Sequence, residues 1–175
     1  MTSRTQPESY ETLYAAHSAE VLRLCRLLLG NHHDAEEVAQ EVFLKAHQKQ
    51  QNMEPTELMF WRSWLIRVSI NACRDRRRSG WWKWWRSPGE EYQEADYQDS
   101  SSTPEQALLS RETEASIWRA FQQLSHRQQE VFALRYVDEW STEEVADMLG
   151  ITPGSVKRYL FRAVQHLRRT LGDRR

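Results

Sequence analysis

Apolar side chains in this sequence return every third or fourth position, segment after segment, and nowhere alternate over a useful length. That rhythm predicts helices and no strands. The stripe Tyr10, Leu13, Tyr14, His17, Val21, Leu24, Cys25 and Leu28 predicts a first helix that stops at Gly30-Asn31. Asp34 can cap a second helix, DAEEVAQEVFLKAHQK, which leaves His32 and His33 in a polar loop between helices. Its Ala35, Val38, Ala39, Val42, Phe43 and Ala46 face inward. Asp34, Glu36, Glu37, Gln40 and Glu41 face outward, with a Glu41–Lys45 pair one turn apart. A third helix, from Thr56 to Arg78, carries two stripes. Leu58, Trp61, Leu65, Val68 and Ala72 make a core face, and about 120° round the axis lie Phe60, Trp64, Arg67, Asn71, Arg74 and Arg78.

Helical periodicity resumes at Pro104, a good first helical residue after Thr103, and runs to Gln123 with Leu108, Ile117, Trp118 and Phe121 inward. Ser125 with Gln128 forms a capping-box pattern that opens a helix through Val131, Phe132, Leu134 and Tyr136 to Val137. Ser141 with Glu144 repeats the pattern ahead of Val145, Ala146, Met148 and Leu149. Gly150 then suits a left-handed helix end, and Thr152-Pro153 is a fresh cap and first turn. Val156, Leu160, Ala163, Leu167 and Leu171 form one buried stripe, with Arg158, Phe161, Arg162, Gln165 and Arg169 opposite. Two helices joined by so short a turn are the layout of a helix-turn-helix, whose second helix enters the major groove. The same spacing also fits an amphipathic helix with a solvated basic face.

Composition alone predicts no affinity for nucleic acid, because 24 basic residues face 25 acidic ones among 175. Distribution changes that picture. Residues 60–86 carry a net charge of seven positive, residues 87–114 seven negative, and residues 153–175 six positive. Two basic surfaces separated by an acidic spacer are implied. Ser87 to Thr103 is polar, acidic and poor in aliphatics, which predicts a flexible linker and divides the chain into residues 1–86, 87–103 and 104–175. Cys25 and Cys73 each sit within an apolar helical pattern and read as buried free thiols. No C-x-x-C or H-x-x-x-H spacing suggests a metal, no cofactor motif is present, and no apolar run approaches a membrane span of roughly 20 residues. A cytoplasmic protein without membrane insertion is expected.

The outer stripe of the third helix interleaves aromatic rings, guanidinium groups and an amide. Single-stranded nucleic acid asks for these: faces on which bases stack, cations for the backbone, and a group to read a base edge. The alternative is that Phe60 and Trp64 widen the core contact while the arginines are solvated. Trp81, Trp82, Trp84 and Trp85, interleaved with Lys83 and followed by Arg86, would form an interaction patch if exposed and would extend the core if folded back.

Three segments together carry a family resemblance: DAEEVAQEVFLKAH, FWRSWLIRVSINACRDRRR and STEEVADMLGITPGSVKRYLFRAVQHLR. In this order, with an acidic spacer before the last, the chain resembles the extracytoplasmic-function (group 4) sigma factors of the sigma-70 family. The resemblance implies an all-α fold of two small helical domains, sigma-2-like and sigma-4-like with a helix-turn-helix, joined by the flexible linker. It implies binding to core RNA polymerase through the β′ and β subunits, and promoter DNA as the second partner. It assigns core-enzyme contact to Asp34, Glu36, Glu37, Gln40 and Glu41. Contact with the −10 element falls to Phe60, Trp64, Arg67, Asn71, Arg74, Arg77 and Arg78, with Asn71 at an extruded base. Contact with the −35 element falls to Ser155, Lys157, Arg158, Phe161 and Arg162. Relatives are usually restrained by an anti-sigma factor, often membrane-linked, in stress responses. Where many relatives have Ser-Arg, this chain has Arg158-Tyr159, so their −35 preference does not transfer.

Two other functions compete. A free-standing helix-turn-helix regulator would bind duplex DNA tightly without core polymerase. An enzyme using Asp34, Glu37 and Glu41 as a metal site is disfavoured, because one exposed helix offers no second carboxylate cluster and no phosphate loop accompanies it.

Overall fold

The computed structural model describes residues 9–52, 60–79 and 104–172, with side chains from 111 onward in the last stretch. The linker, the tryptophan cluster at 81–85 and Leu58 lie outside the described residues, as does the side chain of Leu108. Contacts divide the chain into two compact units on either side of the Arg86–Ser87 bond. All regular structure among the described residues is helical.

The first unit is a three-helix packing of α1 (Tyr10–Leu29), α2 (His32–Gln51) and α3 (Trp61–Arg78). Ser9 caps α1 through its hydroxyl, which accepts from Thr12 N at 3.2 Å, and Gly30 ends it at φ 74°. Gly30 donates its N–H to the Arg26 carbonyl, the left-handed ending that a Cβ would disfavour. Tyr14, expected in the core, is 49 % exposed and lays its ring edge-on to Phe43 at 4.8 Å. The cap of α2 is Asn31, not Asp34: the Asn31 Oδ1 accepts from Asp34 N at 2.9 Å. Helix therefore starts at His32, and the two histidines occupy its first turn instead of a loop. The expected inner face of α2 is buried at every position from Ala35 to Ala46.

In α3 the core face is broader than one stripe. Trp61, Leu65 and Ala72 are buried as expected, but so are Ile66, Ser69, Ile70, Cys73 and Arg77, while Val68 is only half-buried. The cause is that α3 packs against both α1 and α2, and two neighbours bury about half a helix circumference. The Ser69 hydroxyl enters this interior at little cost, because it donates to the Leu65 carbonyl at 2.7 Å. Across the helices, the Arg62 guanidinium grips Glu20 of α1 with Nε at 2.9 Å and Nη2 at 2.6 Å from Oε1. Leu13, Val21, Leu24, Val38, Val42 and Leu65 reach 1 % exposure or less, and each contributes about 1.5–3 kcal/mol relative to exposure. Cys25 and Cys73 are buried free thiols.

The second unit contains α4 (Pro104–Gln122), α5 (His126–Phe132), a π-helical turn (Ala133–Val137), α6 (Thr142–Leu149) and α7 (Pro153–Gly172). From α4 it is Ala120, Phe121 and the following Leu124 that are buried, whereas Ile117 is 48 % exposed. Both capping boxes form in full, at Ser125–Gln128 and at Ser141–Glu144. The regular period fails after Phe132. Asp138 N donates to the Ala133 carbonyl at 3.1 Å, an i→i+5 bond that inserts a residue into the turn. The face rotates with it, leaving Tyr136 58 % and Val137 36 % exposed, and Trp140 takes the buried place at 5 %. Glu139 adopts φ 58°, and the Arg135 guanidinium donates to the Trp140 carbonyl, closing the turn into α6.

Candidate functional site

Three side-chain groups carry the expected chemistry, two on the first unit and one on the second. On α2, the acidic row is not simply solvated. The Arg76 guanidinium reaches across from α3, with Nη1 2.9 Å from Asp34 Oδ1 and 2.7 Å from Glu37 Oε2, and Nη2 3.4 Å from Glu41 Oε1. Burial alone would lower the Arg76 pKa; the hydrogen bond to Glu37 and the charges of Asp34, Glu37 and Glu41 outweigh it and raise it. The hydrogen bond from Arg76 in turn holds the Glu37 carboxyl below its ordinary value. His32 and His33 extend the network along the helix, 2.8 Å from Glu36 and 3.2 Å from Glu37. Glu41 thus turns toward Arg76, and the set weighed as a metal site encloses a guanidinium. Gln40 stays exposed and borders a cleft of about 320 Å³ lined by Tyr10, Tyr14, Phe43, Leu44 and His47. The outward edge of α2 therefore joins carboxylates to apolar surface.

On α3, the outer stripe stands as the spacing requires. Phe60, which precedes the first turn, is 84 % exposed; Arg67, Asn71 and Arg78 are exposed; Trp64 and Arg74 are half-buried. Trp64 is steadied edge-on by the buried Trp61 at 5.7 Å between centroids. Arg77 breaks from the group. It lies about 100° round from Arg78, in line with Ile66, Ile70 and Cys73, and at 6 % exposure it belongs to the interior. Reasoning from the sequence missed Arg76, although Leu65, Ser69, Ala72 and Arg76 repeat at four, three and four and so align it with the α2-facing stripe.

On the second unit, Gly150 at φ 64° ends α6, and Thr152 Oγ1 accepts from Ser155 N at 3.2 Å to start α7. The exposed face of α7 presents Lys157, Arg158, Phe161, Arg162 and Gln165, with Phe161 65 % exposed. Ser155 is half-buried and already engaged: its Oγ accepts from Thr152 Oγ1 at 3.1 Å and from Arg158 Nη2 at 3.1 Å. It orients Arg158 at the entrance of the helix. Val156 and Ala163 are buried on the other side, and Leu160, Leu167 and Leu171 half-buried. A helix whose inner side is apolar and whose outer side offers cations around one ring can enter a major groove.

Family comparison agrees with this geometry. Residues 13–83 match Sigma-70 region 2, and residues 114–167 match Sigma-70 region 4. The ECF RNA polymerase sigma factor SigL of Mycobacterium tuberculosis is 35 % identical over 166 residues, spanning 92 % of this chain and 88 % of its own length. SigW of Bacillus subtilis, also an ECF RNA polymerase sigma factor, is 26 % identical over 178 residues, with coverage of 95 % and 90 %. In fold, the chain is similar to the sigma factor RpoE of Bartonella quintana, solved with the anti-sigma factor NepR, at a TM-score of 0.68 and 22 % identity over 95 % of this chain and 98 % of that one. The chain therefore belongs to the extracytoplasmic-function sigma factors of the sigma-70 family, and is an alternative sigma factor that binds core RNA polymerase and directs promoter-specific initiation.

Proposed function

We propose a division of labour in which residues 1–86 dock on core polymerase and open the −10 element, residues 104–175 read the −35 element, and residues 87–103 join the two. The observation that carries the reading is the segregation of chemistry on α3, where Phe60, Trp64, Arg67, Asn71, Arg74 and Arg78 share the outer side while the apolar residues turn in. Stacking on an aromatic side chain supports about 1–3 kcal/mol per base, which offsets the few kcal/mol needed to unstack one from duplex. Asn71 supplies an amide that both donates and accepts toward the edge of that base. Arg67, Arg74 and Arg78 hold phosphates; Arg77, buried at 6 % exposure, is withdrawn from the set.

Core docking falls to the outward edge of α2, at Glu36, Glu37, Gln40 and Glu41, with Asp34 chiefly holding Arg76. In the second unit Lys157, Arg158, Phe161 and Arg162 meet the −35 duplex, and Ser155 positions Arg158. Phe161 is the apolar member, suited to a thymine methyl. The protein works by binding, carries out no reaction of its own, and acts in the cytoplasm, where core polymerase and promoter are found. The Bartonella relative is held by an anti-sigma factor, and a comparable protein partner fits this chain. A free-standing regulator would leave the exposed edge of α2 without a task.

Transcription from genomic fragments with purified bacterial core polymerase tests the reading. Initiation at discrete promoters only when the full chain is added is expected; its absence at every fragment would sink it.

A further inference from the structure

Helix α3 runs antiparallel to α2, and one contact marks each end of the crossing. At one end Arg76 meets Asp34, Glu37 and Glu41; at the other Trp64 meets Lys49, whose Nζ lies 6.0 Å from the indole centroid. Trp61 holds the same indole edge-on from the interior, at 86° between planes. The charge of α2 changes along its length. Its acidic residues end at Glu41, and Lys45 and Lys49 follow. Beside Trp64, Lys49 stands where an unpaired strand brings its own charge.

We propose that Lys49 is a further promoter-contacting residue, the ammonium that α2 supplies to the phosphate beside the base taken up at Trp64. The proposal rests on reading the outer stripe of α3 as the −10 site. In the free protein the ammonium over the indole fixes the ring; in the complex its compact point charge reaches the backbone of the strand stacked there. Each phosphate neutralised on a single strand contributes about 0.7 to the log-log salt slope, so the contact has a signature that packing lacks.

The test uses holoenzyme assembled from core polymerase and the full chain, with a fluorescent forked DNA whose −10 non-template strand is single-stranded, titrated across salt. Lys49→Met keeps the apolar stem and removes the charge. Weakening of about two- to fivefold at low salt is expected, with a slope shallower by about 0.7 and unchanged core affinity, and Lys49→Arg should restore both. Wild-type affinity and slope in Lys49→Met, alongside weak binding by Trp64→Ala, would overturn the proposal while leaving the −10 site intact. Weaker binding with an unchanged slope would also overturn it, since that marks packing alone. Wild-type binding by both Trp64→Ala and Asn71→Ala would remove the −10 site itself, and Lys49 with it.

Discussion

Replacing Arg76 by alanine removes one guanidinium and strands three carboxylates, so it measures how firmly α3 is fastened to the acidic helix. The side chain of Arg76 is 17 % exposed and that of Asp34 13 %, whereas Glu37 and Glu41 are 44 % and 55 % exposed. Removing one partner of a fully buried pair costs about 3–5 kcal/mol, and surface pairs contribute about 0–1. Arg76 lies between these limits, with one well-sheltered bond and two open ones, which gives about 2 kcal/mol for Arg76→Ala. For a unit of this size that is a fall of roughly 8–16 °C in melting temperature. Arg76→Lys keeps the charge without the planar fork and should lose less. The effect depends on pH with a definite sign. Because Arg76 holds Glu37 below its ordinary 4.5, that bond stabilises the fold fully above pH 4.5 and is lost as pH falls through the lower folded value. The gap between wild type and Arg76→Ala should therefore narrow in acid. Thermal unfolding followed by tryptophan fluorescence, with hydrogen exchange on peptides from residues 9–79 to assign the transition, reads both effects. Equal melting at pH 7, or a gap that persists unchanged in acid, would refute the reasoning.

Two further outcomes concern the second unit. Glu139→Gly should raise its melting temperature by about 2–4 °C: relief of the left-handed φ 58° is worth about 1–2 kcal/mol and exceeds the added entropy of an unfolded glycine. A fall in melting temperature would show that the Glu139 side chain matters more than its backbone. Ser141→Ala removes the acceptor for Glu144 N, 3.2 Å away, and should cost about 1 kcal/mol by chemical denaturation; no loss would mean that water caps α6 equally well.

The parts of this fold legible in the sequence are those settled within four residues. The Ser125 and Ser141 boxes, the Gly150 ending and the Thr152-Pro153 restart need no knowledge of the neighbours, and all stand as read. Where a residue competes with a nearby equivalent, local pattern failed: Asn31 took the cap from Asp34 because it lay one turn ahead of the acidic run and freed His32 and His33 to pair with Glu36 and Glu37. The arginine run 76–78 is uniform in sequence, and only the phase of α3 against two neighbours sends Arg76 to the carboxylates, Arg77 inside and Arg78 to solvent. The π turn was hidden for a different reason. An inserted residue leaves Val131 and Leu134 three apart and Phe132 and Tyr136 four apart, as in an ordinary helix, while the backbone rotates Tyr136 out and Trp140 in. The outward placement of Phe60, Arg67, Asn71 and Arg78 on α3 was readable because residue type and period agree there.

Asn71 sits exposed at the middle of that stripe, so it can be altered without touching the Arg76 fastening of the unit. The most direct measurement compares Asn71→Ala with wild type for two constants: affinity for core polymerase, and holoenzyme discrimination between single-stranded −10 probes that differ at one base. The account predicts unchanged core affinity with discrimination reduced about tenfold, since one well-placed base contact is worth about 1–3 kcal/mol. Full discrimination retained by Asn71→Ala, or core binding lost in its place, would contradict it.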